Sequence, residues 1–183
     1  MMITKKIAIS GLTIFLLLIS AFSLVSCDSF SSFFALPDDK NADNKLISFI
    51  ECLKTEDANS LKSLFAKNKI ANLTNFDLSI EELFQYYDGE FVSINRYSTG
   101  VEKDKDSGIE RKWYNMSYDV TTSIEIYRMA FIWCVKDTSD DNNVGIESYY
   151  ILKASEDPNY PQYAYGGDGS WTPGINIGKI YVD

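Results

Sequence analysis

The chain has 183 residues, with 17 lysines and arginines against 26 acids, no histidine and a formal charge of −9. An acidic balance with no basic run argues against nucleic acid as a partner, because that binding depends on cations neutralising phosphates. The lack of histidine removes the commonest metal ligand, the usual base for activating a nucleophile and the switch that titrates near neutrality.

Residues 1–6 carry Lys5 and Lys6 and no acid, and nothing from Ile7 to Val25 is charged. This is the layout of a signal sequence. A spanning helix needs about 20 predominantly apolar residues, and Ser10, Gly11, Thr13, Ser20 and Ser23 dilute this run. It ends in Leu24, Val25, Ser26 and Cys27, which resembles the bacterial lipobox. That resemblance implies that the Cys27 thiol receives a diacylglycerol and that residues 1–26 are removed. Two acyl chains, at about 0.8 kcal/mol per buried methylene, hold firmly where one is marginal. The expected partner is therefore the membrane, through a lipid anchor on Cys27, with the protein on the outer face of the cytoplasmic membrane. Removing residues 1–26 takes away Lys5 and Lys6, leaving 15 of the 17 cations against 26 acids, a formal charge of −11. Residues 27–37 then read as a lipidated tether and 38–183 as one domain long enough for a sizeable core.

From Asp38 the apolar residues Leu46, Ile47, Phe49, Ile50 and Leu53 take helical spacing. Asp57 is placed to cap a second helix carrying Leu61, Leu64 and Phe65. Ser79 and Glu82 form a capping box for a third, with Leu78 as a staple on Leu83 and Gly89 as its stop. Beyond Glu90 the period becomes two. Strands are expected from "EFVSINRYSTG", "IERKWYNMSYDVTT", "SIEIYRMAFIWCVKD", "VGIESYYILKA" and "INIGKIYV", with the charged "EKDKDSG" and "KDTSDDNN" as links. The third of these is apolar on both faces from Met129 to Val135, which places it inside the sheet. Cys52 and Cys134 lie among apolar neighbours and read as buried free thiols rather than a disulfide.

The expected fold is α+β: three N-terminal helices packed on a curved antiparallel sheet of four to five strands. The segments "LISFIECLKTEDANSLKSLFAKN", "LSIEELFQYYDGEF", "RKWYNMSYDVTT" and "YRMAFIWCVKD" resemble lipoproteins of low-GC Gram-positive bacteria grouped as domain of unknown function 5104. The resemblance implies a nuclear-transport-factor-2-like, or cystatin-like, cone in which helices close a sheet around a cavity. It carries no catalytic signature.

A cavity of that kind would be lined by aromatic side chains with few polar groups. Tyr127, Met129, Phe131 and Trp133 share one face of their strand, and Tyr114, Met116 and Tyr118 share one on the neighbour. They form either a pocket or simply the packing under the helices. An enzyme on such a fold would need a buried carboxylate base with a tyrosine donor, and Tyr118, Asp119 and Glu125 are the residues on offer, although alternation puts Asp119 on the polar face. Residues 137–147 are acidic, but lack the glycine and terminal glutamate of a calcium loop. The glycine-rich stretch 166–174 presents Trp171 as a rigid contact. These observations point to a non-enzymatic extracytoplasmic domain that binds a small apolar ligand or an envelope protein, with no cofactor and no metal. The alternatives are a cavity enzyme for proton transfer or dehydration, and a structural or inhibitory module acting through the sheet face and Trp171. The oligomeric state stays open, folds of this type often pairing through their sheets as homodimers.

Overall fold

A computed structural model describes residues 37–156 and 172–178. The chain divides into two compact units, Met1–Asn41 and Ala42–Asp183. Only residues 37–41 of the first are described, and the architecture below belongs to the second. Cys27, the tether as far as residue 36, and Trp171 lie outside the described residues, and Pro37, expected to end the tether, opens the first helix. No helix among the described residues is long and apolar enough to cross a membrane.

Helix α1, Pro37–Thr55, buries Ala42, Leu46, Phe49, Ile50 and Leu53 along one stripe. Ile47, expected on that stripe, stands at its edge and is 36% exposed. The helix closes in a Schellman turn, with Asp57 N donating to Cys52 O, Glu56 N donating to Leu53 O, and Glu56 at φ 49°. Asp57 then caps helix α2, Ala58–Ser63, by accepting from Ser60 N at 3.0 Å, as the sequence predicts. A short helix α3, Lys67–Ile70, follows that periodicity is too brief to reveal. The described α-helices therefore number four rather than three.

Helix α4 spans Phe76–Tyr86 and starts a turn earlier than the expected capping box. Asn75 is its N-cap residue, Ser79 lies inside the helix with its hydroxyl donating to Asn75 O at 3.2 Å, and Leu78 is exposed rather than stapled to Leu83. Phe76 decides the register, because starting the helix there buries its ring edge-on against Phe65, with centroids 4.9 Å apart. A local cap is worth about 1 kcal/mol, less than burying a phenyl side chain, at about 1.5–3 kcal/mol.

The sheet runs β1–β2–β3–β4–β5 in spatial order. Its strands are β1 Phe91–Asp106, β2 Ile109–Thr122, β3 Ile126–Asp137, β4 Gly145–Lys153 and β5 Gly174–Ile177. β3 is central, as its two apolar faces require. The first four strands pair antiparallel, but β5 runs parallel to β4, so the sheet is mixed. The stretch from Lys153 to Gly174 exceeds the dozen or so residues that a parallel crossover needs. Irregular register between Phe91 and Ser93, Arg96 and Ser98, Lys112 and Trp113, and Ile132 and Trp133 adds twist and curves the sheet.

The "EKDKD" run is strand rather than link. β1 continues to Asp106 and turns at Ser107 and Gly108, both at positive φ, as a tight two-residue hairpin requires. Helices and sheet are joined by backbone as well as by side chains. Ala66 N donates to Ile146 O at 2.9 Å and Ile146 N to Leu64 O at 2.8 Å, tying the segment between α2 and α3 to the start of β4.

Candidate functional site

Strand alternation brings the expected lining residues together on the helix-facing side of the sheet. Tyr114 lies opposite Trp133, Met116 opposite Phe131, and Tyr118 opposite Met129, while Tyr127 lies opposite Val120. All of these belong to or pack against one hydrophobic core with Leu46, Phe49, Ile50 and Leu83. Phe49 stacks on Tyr149 with centroids 4.2 Å apart, and Tyr149 and Tyr118 both flank Phe131. The row is packing surface beneath the helices.

The polar tips of these residues serve the fold. The Tyr127 hydroxyl accepts from Asp88 N at 2.9 Å and faces Tyr86 O at 3.2 Å, satisfying groups freed where α4 ends. The Tyr118 hydroxyl donates to Asp43 Oδ1 at 2.9 Å, and Arg96 Nη2 donates to Asp43 Oδ2 at 2.7 Å. Burial first, and the Asp43 carboxylate second, push the Tyr118 phenol well above its ordinary value, so it is a neutral donor.

The other members of the expected proton-transfer set stand elsewhere. Asp119 is on the opposite face of β2 from Tyr118, where its Oδ1 accepts from Arg128 Nε at 2.6 Å. Arg128 is 1% exposed and its guanidinium lies 3.8 Å from the centroid of the Tyr97 ring. Glu125 accepts from its neighbour Ile126 N at 2.8 Å and from the Ser155 hydroxyl. Tyr118, Asp119 and Glu125 thus have separate partners and do not converge. Sequence reasoning missed Arg128 altogether; an arginine in a strand otherwise apolar on both faces was the available signal.

Cys52 and Cys134 are buried free thiols, as expected, and burial pushes both up. The acidic loop after β3 is an organised turn whose outer residues, Thr138, Ser139, Asp141 and Asn142, are exposed. Asp137, 5% exposed, accepts from Ser139 N at 2.8 Å, from the Ser139 hydroxyl, from Asn143 Nδ2 at 2.9 Å and from Arg111 Nε at 3.3 Å. The Ser139 hydrogen bonds, with the others in support, hold its carboxyl well below the usual range. Among the described residues no group of three or more acidic, cysteine or histidine side chains converges as metal ligands would.

The arrangement that the sequence did not announce is basic. At the far end of the β1–β2–β3 sheet, Lys103 pairs with Lys112 and Lys112 with Lys136, so three lysines stand in one row across three strands. Alternation puts them on the face that carries Tyr114 and Trp133. Lys105, opposite Glu110, shares that face, while Asp104, Arg111 and Asp137 take the other. From α1 the Lys45 ammonium lies 4.7 Å from the Trp133 centroid, and Lys112 lies 4.9 Å from that of Tyr114. These two rings are themselves 5.4 Å apart.

A cleft of about 360 Å³ runs along this end, lined by Lys103, Asp104, Lys105, Glu110, Arg111, Lys112 and Lys136. Glu110 is clasped by Lys105 at 2.8 Å and Lys136 at 2.6 Å, which lowers its carboxyl to about 2. Lys103 makes no ion pair among the described residues. Burial lowers the Lys45 ammonium from its ordinary value. Five lysines against one glutamate therefore share one face of a chain whose formal charge is −9.

Taken together, the fold defines an α+β domain, a helical layer on a curved mixed sheet, with an apolar sheet face packed against the described helices and a basic tip. Residues 48–154 match the family described as Domain of unknown function (DUF5104), and the chain belongs to that family. No curated protein matches it.

Proposed function

We propose that the protein is a lipid-anchored, extracytoplasmic, non-enzymatic binding domain of cystatin-like, or nuclear-transport-factor-2-like, cone fold. Residues 1–26 are a lipoprotein signal peptide, Cys27 is the lipidated residue, 27–37 the tether and 38–183 the binding domain. It works on the outer face of the cytoplasmic membrane of a Gram-positive cell. The observation that carries the binding reading is the occupation of the interior face. Tyr114, Met116, Tyr118, Tyr127 and Phe131 are spent on packing against the helices, and each polar group of the proton-transfer set has a structural partner. Of the two ligands expected from sequence, this favours an envelope partner met at the surface over a small apolar molecule held inside.

Anchoring is tested by expressing the parent and Cys27→Ser in a Gram-positive host fed a labelled fatty acid. The parent is expected in the membrane fraction, labelled and shortened by residues 1–26. The variant is expected unlabelled and uncleaved before residue 27. Equal labelling and equal processing of the two would overturn the anchor. Capture of the partner by cross-linking on intact cells, followed by mass spectrometry, then reads the binding role directly.

A further inference from the structure

We propose that the lysine face at the tip of β1, β2 and β3 is a binding site for a phosphate-bearing anion. The inference rests on the reading of the domain as a binding module and names its ligand class; it does not depend on the lipid anchor.

Three observations carry it. Like charges directly opposite one another in a sheet destabilise it, and here Lys103, Lys112 and Lys136 are aligned across three strands. A fold that needed only a soluble edge could alternate the signs across the strands, as the next position does with Lys105 opposite Glu110. The row is also set in a cleft rather than on a convex surface, so the positive potential is focused between low-dielectric walls. The two carboxylates of the cleft are already held, Glu110 by Lys105 and Lys136 and Asp104 by Arg111, and Lys103 has no carboxylate partner among the described residues. The lining cations Lys103, Lys105, Arg111, Lys112 and Lys136 thus outnumber the lining acids by more than one charge.

Lysine is a compact point charge with three donors, and a cluster of such charges suits the many acceptor oxygens of phosphate. The only arginine of the cleft, Arg111, is engaged on the other face with Asp104 at 3.1 Å and Asp137 at 3.3 Å. Trp133 beneath Lys45 and Tyr114 beneath Lys112 help to hold those ammonium groups in place by cation–π attraction. A ligand of this chemistry is either a soluble phosphorylated molecule or the phosphodiester headgroup of an anionic lipid.

The test uses the full chain in a non-ionic detergent at low salt, with calorimetric titration of two probes, inorganic pyrophosphate and a short-chain phosphatidylglycerol. Pyrophosphate is expected to bind, and to bind more weakly as salt rises toward about 0.2 M, where screening of exposed charges is strong. Lys103→Gln with Lys112→Gln is expected to weaken binding by about tenfold or more, since removing each charge-assisted hydrogen bond to the anion brings a severalfold change. Lys54→Gln, which removes a lysine paired with Glu51 on α1, is expected to leave binding unchanged. If the double variant unfolds, Lys103→Gln alone decides, since that side chain has no described ion pair to disturb. Competition by phosphatidylglycerol assigns the site to a headgroup; binding of pyrophosphate alone assigns it to a soluble ligand. No binding of either probe by the parent, or equal binding by the parent and the Lys103 variants, overturns the proposal. Labelling and processing at Cys27 are read separately, so the two ideas fail independently.

Discussion

Arg128 shows how one side chain can be held in a sheet against its nature. A guanidinium that is 1% exposed is tolerable only where its charge is matched. Asp119 at 2.6 Å on the neighbouring strand and the face of Tyr97 at 3.8 Å provide that match. Removing one member of such a pair leaves the other charge without its partner, which costs about 3–5 kcal/mol in a fully buried pair. Asp119 is 22% exposed, so Arg128→Ala is expected to cost less, about 2–3 kcal/mol. Arg128→Met, which keeps much of the volume, should cost less again. Urea unfolding midpoints check this; an Arg128→Ala variant as stable as the parent would show the pair to be dispensable.

At the level of the element, the decisive joint is where helix and strand backbones touch. Gly145 opens β4 at φ +142°, and a Cβ there would lie 2.4 Å from Ala66 N and 2.6 Å from Phe65 C. Both are backbone atoms, fixed by the hydrogen bonds between Ile146 and the α2–α3 segment. Neither can give way without breaking that joint. Gly145→Ala is therefore expected to destabilise by at least about 2 kcal/mol, the scale of overpacking combined with unfavourable φ. A thermal melt is the check, and Gly108→Ala is its control. At Gly108 φ is also positive, at +84°, but nothing lies within 4 Å of the added carbon, so only the conformational cost of about 1 kcal/mol should appear.

For the whole molecule, the tyrosines set the alkaline limit. Burial pushes Tyr87 up to about 12 and holds Tyr149 well above its ordinary value of 10. Tyr118 and Tyr127 are raised for the same first reason. A group whose folded pKa lies above its unfolded one contributes stability that is complete below the unfolded value and is lost as pH rises through the folded one. Stability should thus be unaffected by these groups below pH 10 and should fall between pH 10 and about 12. Tyrosinate absorbance and circular dichroism, followed together, are expected to show the buried phenols ionising as the fold is lost. Ionisation of all twelve tyrosines near pH 10 with an intact fold would contradict the packing.

The sequence by itself determined the elements whose signals are local and periodic. Strand β2 was legible over Ile109–Thr122 because alternation at Tyr114, Met116, Tyr118 and Val120 is what a half-buried strand imposes. The central place of β3 and the Asp57 cap followed from equally local rules. Tertiary structure decided what depends on partners distant along the chain. The start of α4 moved because Phe65 awaited Phe76, and β5 joined in parallel because its pairing lies with β4 rather than with its own pattern. The basic face escaped the sequence for the same reason. Lys45, Lys103, Lys105, Lys112 and Lys136 are interleaved with acids along the chain. Only hairpin register and strand alternation gather the cations on one side and send Asp104 and Asp137 to the other. Charge in sequence is a sum over neighbours along the backbone, whereas the potential a ligand meets is a sum over neighbours in space.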